Sequence, residues 1–233
     1  MKLLTTENYK TSKGTAFGYI TGILYLLPSD LSGKQLCPNA TPGCIASCLN
    51  TAGRGAFNSV QTARNKKTQW LISNRASFID QLRKDIKALE RKASRLGLKP
   101  CVRLNGTSDL PWENLAPELM TEFSHVQFYD YTKSKLRMLK FLNNGMPSNY
   151  HLTFSRAENN EQTCEEIISL GGNVAAVFKR ADQISHQVSK GYFVDGDRHD
   201  LRFLDTPGKV IALVAKGRAR KDSTGFVIGR ATA

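Results

Sequence analysis

Ala16-Phe-Gly-Tyr-Ile-Thr-Gly-Ile-Leu-Tyr-Leu-Leu27 is apolar almost throughout, rich in β-branched and aromatic residues, and ends at Pro28. Such a run reads as a buried strand, because a strand covered on both faces has no water-facing side and needs no polar alternation. A loop follows it, Cys37-Pro-Asn-Ala-Thr-Pro-Gly-Cys44-Ile-Ala-Ser-Cys48, broken by Pro38, Pro42 and Gly43. Three of the five cysteines are therefore expected just past the carboxyl end of a strand.

Beyond the loop the hydrophobic period becomes helical. Residues 58 to 72 carry Val60, Ala63, Trp70 and Leu71 as their apolar members. A second helix is predicted to start at Asn74, whose side chain suits an N-cap. It carries Phe78, Leu82, Ile86, Leu89, Ala93 and Leu96 in steps of three and four, with a stop at Gly97. Further strands are predicted at 100–109, with a polar exit, and at 126–132, 150–156, 174–179 and 210–215. Helical segments fall after Pro111, from Pro117, over 134–143 and up to Leu170.

Strands separated by helices, without short hairpin turns, predict a parallel α/β sheet. With no domain break, repeat or low-complexity tract, residues 1–233 are expected to form a single (β/α) TIM-like barrel domain, complete or not, with the Cys-rich loop after its first strand. Chemistry in such barrels sits on the loops after the strands. Those exits include Asn105-Gly-Thr-Ser-Asp109, Asp130-Tyr-Thr-Lys133, Ser155-Arg-Ala-Glu158, Lys179-Arg180 and Lys216-Gly-Arg218. A barrel would gather them around the cysteines, with Asn105, Thr107, Asp109, Asp130 and Arg156 lining the mouth. Loops are also polar simply because they meet water, and residues 106–109 are ordinary turn chemistry.

Three thiolates converging on a small volume suit a metal or an iron–sulfur cluster better than a disulfide, which uses two and strands the third. Zinc ligands usually come in close pairs. Here the cysteines are separated by six and three residues, and His125, His151, His186 and His199 are scattered, so zinc would need a distant fourth ligand. The cysteines can also pack as small apolar side chains, which is the reading for Cys101 and Cys164. Iron–sulfur clusters normally take four cysteines. Cys37, Cys44 and Cys48 alone would hold either a three-iron (3Fe–4S) cluster or a four-iron (4Fe–4S) cluster with one iron open.

A three-cysteine loop after the first strand of a partial (β/α) barrel resembles the architecture of radical-SAM enzymes. Together with Arg103-Leu-Asn-Gly-Thr-Ser-Asp109 and Lys216-Gly217, it is also similar to a group of uncharacterised bacteriophage iron–sulfur barrel proteins. The resemblance implies a phage-encoded iron–sulfur protein in the host cytoplasm, with a redox, electron-transfer or radical-SAM-like role. S-adenosylmethionine would then be a ligand of the open iron.

The formal net charge is +13. Between Arg54 and Arg103 there are thirteen Lys or Arg against Asp80, Asp85 and Glu90, so most of the excess lies there. A basic surface attracts nucleic acid, anionic membranes or acidic proteins, or is simply a solvated helix face, and most of these cations fall on the outer face of the predicted helix at 74–96. The partners expected from that face are a nucleic acid or an acidic redox protein. Phe57, Trp70 and Tyr129 are the candidates for stacking on bases, although aromatics are more often core residues. No apolar run reaches membrane-spanning length, and the first residues are not a secretory signal, which makes the cytoplasm the default.

Asp195, Asp197, His199, Asp200 and Asp205 read either as a hard-metal or acid/base cluster or as a solvent-exposed turn. Two functions compete: an iron–sulfur protein built on the cysteine loop, and a basic nucleic-acid-binding protein with a structural zinc or no metal.

Overall fold

The computed structural model describes residues 1–6 and 13–229. The predicted first strand is β2 (Tyr19–Leu24), flanked by the short antiparallel β1 (Leu4–Thr5). The cysteine loop contains one short helix, α1 (Pro42–Ala46). Then come α2 (Asn58–Ser73) and α3 (Arg75–Arg95). Asn74 caps α3 as expected, its side chain accepting from the Ser77 N–H at 3.1 Å, and Gly97 closes it with φ +64°. Alternation continues through β3 (Lys99–Arg103), α4 (Trp112–Leu115), α5 (Pro117–Glu122), β4 (Gln127–Thr132), α6 (Lys135–Leu142), β5 (Tyr150–Ser155) and α7 (Glu161–Ser169). The last elements are β6 (Val174–Phe178), α8 (Ala181–Ser189), β7 (Phe193–Asp195), β8 (Val210–Val214) and β9 (Val227–Ile228).

The strands form one nine-stranded sheet in the order β1-β2-β3-β4-β5-β6-β8-β7, with β9 also on β6; every pairing but β1–β2 is parallel. The alternating α/β expectation therefore holds. Among the described residues no pairing joins β1 to β7, so the strand ladder itself does not close into a barrel.

The two faces of the sheet differ in chemistry. One carries Val102, Phe128, Leu152, Phe154 and Val174, buried in a single core with Phe78, Leu82, Ile86 and Leu89 of α3. At Gly22 on β2 a Cβ would lie 3.1 Å from Leu89, so the glycine lets α3 press onto the strand. The opposite face presents Thr21, Cys101, Arg103, Tyr129, Tyr131 and Thr153.

That polar face is covered by the segment after β7. Leu201 packs on Cys101 and Tyr129, Asp200 pairs with Arg103 at 3.0 Å, and the Tyr131 hydroxyl donates to Asp200 at 3.3 Å. His199, Asp200 and Asp205 are buried, and Arg202 is fully so, with an ion pair to Asp205 at 3.1 Å. The hard-metal reading of this stretch falls, since no metal-holding group is found among the described residues, and the exposed-turn reading holds only near Asp195, because His199, Asp200 and Asp205 are buried. Its charges are needed because the sheet face beneath them is itself polar, and a buried charge requires a partner. Cys101 and Cys164 are buried, as expected of small apolar residues. Among the described residues no helix is long and apolar enough to cross a membrane.

Candidate functional site

The exits of the parallel strands do gather around the cysteine loop. Thr41 caps α1, accepting from the Cys44 N–H at 3.2 Å while donating its own hydroxyl proton to Glu158 at 2.7 Å. The other Glu158 oxygen accepts from the Gly43 N–H at 2.7 Å. Only glycine fits there, since a Cβ on residue 43 would lie 2.3 Å from the Thr224 hydroxyl. Ser47 adds a contact to Asp222 at 3.3 Å. The loop is thus tied to the β5 exit and to the segment before β9, and it roofs the carboxyl edge of the sheet.

Beneath the roof lies a chamber of about 210 Å³. Cys37, Cys44, Cys48, Asn105, Thr107, Asp109 and Arg156 all line it, so seven of the eight residues expected at the mouth come together. Asp130 does not reach it. Its carboxylate accepts from the Asn105 N–H at 2.7 Å and from the Tyr150 hydroxyl at 2.9 Å, bracing the β3 exit from below. Burial pushes that carboxyl up to about 7, against the pull of the Asn105 N–H and the nearby Arg103. Asp109 lines the chamber but is already committed, accepting from Arg137 at 2.7 Å and from the Lys133 N–H at 2.9 Å.

The cysteines do not form a metal centre. Among the described residues no group of three His, Cys, Asp or Glu side chains is placed to hold a metal ion. The local chemistry says why. Cys37 accepts from the Ser29 N–H at 3.3 Å and points its proton at the Thr107 carbonyl at 3.8 Å. Burial pushes this thiol up to about 11. Cys48 accepts from the Asn50 N–H at 3.4 Å, and burial raises it too. Cys44 packs among Ala157, Ala215, Ala219, Phe226 and Val227. Cys37 and Cys48 are thus engaged with backbone groups, and Cys44 is part of an apolar wall. The iron–sulfur reading is therefore corrected, both as 3Fe–4S and as 4Fe–4S. With it go the metal-binding, electron-transfer, ferredoxin-like and radical-SAM roles, S-adenosylmethionine at an open iron, and the structural zinc.

Beside the chamber lies a wider trough of about 1080 Å³, whose lining shares Leu49, Arg103, Gly106, Thr107 and Lys216 with it. Arg54, Arg64, Lys67, Arg103, Lys216 and Arg220 line the trough, and no described carboxylate does. Arg103 is neutralised by Asp200 and Lys216 by Asp197. Arg64 instead donates to the Asn50 carbonyl at 2.7 Å and stacks 5.0 Å over the Tyr25 ring. Its charge has no carboxylate counterpart there, and burial lowers its pKa. Arg54 and Arg220 are exposed. Their segments meet at Gly217, whose φ of +57° and missing side chain let it sit against Ala52, where a Cβ would come within 3.0 Å of the Ala52 Cβ.

These cations were counted in the sequence but not assembled. The signal available was the Gly-Arg-Gly at 53–55 and the Gly-Arg-Ala-Arg at 217–220, both loop-forming and basic. The outer face of α3 does expose Lys84, Lys87 and Arg91. On the same helix, however, Arg83 pairs with Glu122 at 2.7 Å and Glu118 at 3.2 Å, and Lys87 pairs with Glu122 at 3.2 Å. Acids of α5 thus offset part of that charge. Of the three aromatic candidates, Tyr129 is fully buried and Trp70 packs on the core, its indole N–H donating to Ser77 at 2.7 Å. Phe57 is 60% exposed, between the trough residues Gly55 and Ser59.

Fold and site together define an α/β protein with a cationic cleft at the carboxyl edge of a mostly parallel sheet. The chain belongs to the family described as Gene product 88, which matches it over residues 2–230. No curated protein and no solved structure matches the chain. The family supports the phage-encoded part of the resemblance drawn from the sequence, while its iron–sulfur and radical-SAM parts fall with the metal centre.

Proposed function

We propose that this chain binds nucleic acid through the trough, without a metal. The observation that carries the reading is the lining itself, six cations with no carboxylate among them, of which Arg54, Arg64, Lys67 and Arg220 make no ion pair among the described residues. A groove of one sign draws in a polyanion and releases its counterions, which makes binding steeply salt-dependent. Phe57 favours a nucleic acid over an acidic protein, because an exposed ring three residues from Arg54 in the chain is a surface a base can stack on. The outer face of α3 serves at most as a secondary contact.

Anisotropy titrations of a labelled mixed-sequence oligonucleotide at several salt concentrations test this. Arg54→Glu combined with Arg220→Glu, both exposed positions, is expected to weaken binding strongly at low salt and to flatten its salt dependence. Lys84→Glu combined with Arg91→Glu, on the outer face of α3, is expected to change both far less. Absence of any salt-dependent binding, or binding indifferent to the trough pair, overturns the proposal.

A further inference from the structure

The chamber and the trough are neighbours that share Leu49, Arg103, Gly106, Thr107 and Lys216 in their walls, and their chemistries differ. The trough is wide and cationic, whereas the chamber walls are largely carbon, supplied by Ala40, Cys44, Val177, Leu213 and Phe226. Lys133 stands at the chamber with its ammonium 5.5 Å from the Phe226 ring centre, and Arg156 is fixed beside it by the Gly225 and Phe226 carbonyls at 2.7 and 3.1 Å. Leu49, which lines both, is 41% exposed. An apolar pocket with a few fixed polar groups, adjoining a cationic groove, has the chemistry of a nucleobase attached to a backbone.

Resting on the nucleic-acid reading above, we infer that the chamber receives one unstacked base of a single strand whose sugar–phosphate backbone lies along the trough. The base faces contact the apolar walls around Phe226, while Lys133 and Ser155 are the polar groups at hand for its edge. A base paired and stacked inside a duplex cannot enter without being extruded, so the chamber discriminates against duplex by the cost of unstacking. The trough's phosphate contacts by themselves do not, because they reach the backbone of either form.

The test compares the wild-type protein on three labelled probes of equal length: a mixed-sequence DNA single strand, the matching blunt duplex, and a strand of abasic sugar–phosphate units. The single strand is expected to bind about tenfold tighter or more than the abasic strand, the scale of losing one stacked base, and also tighter than the duplex. Ala40→Trp, which fills the chamber from its loop wall, is expected to remove most of the single strand's advantage over the abasic strand, leaving only the share that Phe57 supplies, while the salt dependence stays unchanged. Equal, salt-dependent affinity for all three wild-type probes overturns the chamber and leaves the trough standing. A nucleoside monophosphate that binds as tightly as the strand overturns it in favour of a free nucleotide. Binding to none of the probes removes the trough as well.

Discussion

Arg137 holds Asp109 at 2.7 Å and, with the same guanidinium, Glu113 at 2.8 Å, so a single α6 side chain clamps the β3 exit to the sheet. It also donates to the Tyr150 hydroxyl at 3.0 Å, and that hydroxyl in turn donates to Asp130. The carboxylate that looked in sequence like a free group at a mouth is a structural anchor of the loop that lines the chamber.

Arg137→Ala is therefore expected to cost about 3–5 kcal/mol of stability, the usual penalty for leaving a buried charge unpaired. The Glu113 side chain is only 3% exposed and cannot recover its solvation. Urea denaturation measures it. Arg137→Lys should recover part of the loss, since an ammonium meets one carboxylate but not the fork of two.

Phe57→Ala should leave the thermal midpoint nearly unchanged, because the ring is 60% exposed and belongs to none of the buried clusters. Single-stranded binding should weaken by about 1–3 kcal/mol if a base stacks on the ring. A midpoint drop of several degrees with unchanged affinity would assign the ring a packing role instead.

Cys37 should resist alkylation. With its thiol pushed from 9.0 to about 11 by burial, its thiolate fraction at neutral pH is about a hundredfold below that of an unperturbed thiol. Mass-spectrometric labelling with iodoacetamide should show slow modification that accelerates as pH rises. Rapid labelling at neutral pH would contradict the buried, hydrogen-bonded thiol. Adding a chelator should leave the thermal midpoint where it was.

His151 and His199 are both lowered to about 4, chiefly by burial and next by the nearby Arg202. Their folded values lie below the ordinary 6.5, so between about pH 6.5 and 4 the unfolded chain binds more protons than the native one. These two groups therefore make stability fall as pH decreases through that window and leave it unaffected above it. Chemical denaturation at a series of pH values measures the slope, and His151→Gln should reduce it. A slope that the substitution leaves unaltered would place the proton uptake elsewhere.

Much of the fold was legible because it is written in local periods. The capped α3, the stop at Gly97 and strands such as Val174–Phe178 follow from neighbours a few residues apart. β1, β7 and β9 were not legible, since two or three residues carry no alternation. Residues 196–205 misled for a different reason. Their polarity looks like a surface turn until the polar sheet face they cover is known.

By itself the sequence determined the order of helices and strands, the parallel α/β class, the excess of positive charge and the placing of the cysteine loop after a strand. These are properties of composition and of side chains close together along the chain. Only the tertiary structure decided that Arg54 and Arg220 share a trough, that Cys44 faces Phe226 rather than a metal, and that Glu158 fastens Gly43 from 115 residues away. Which groups are left unpaired, and which thiols stay protonated, depends on burial and on partners remote in sequence, and no local pattern records either.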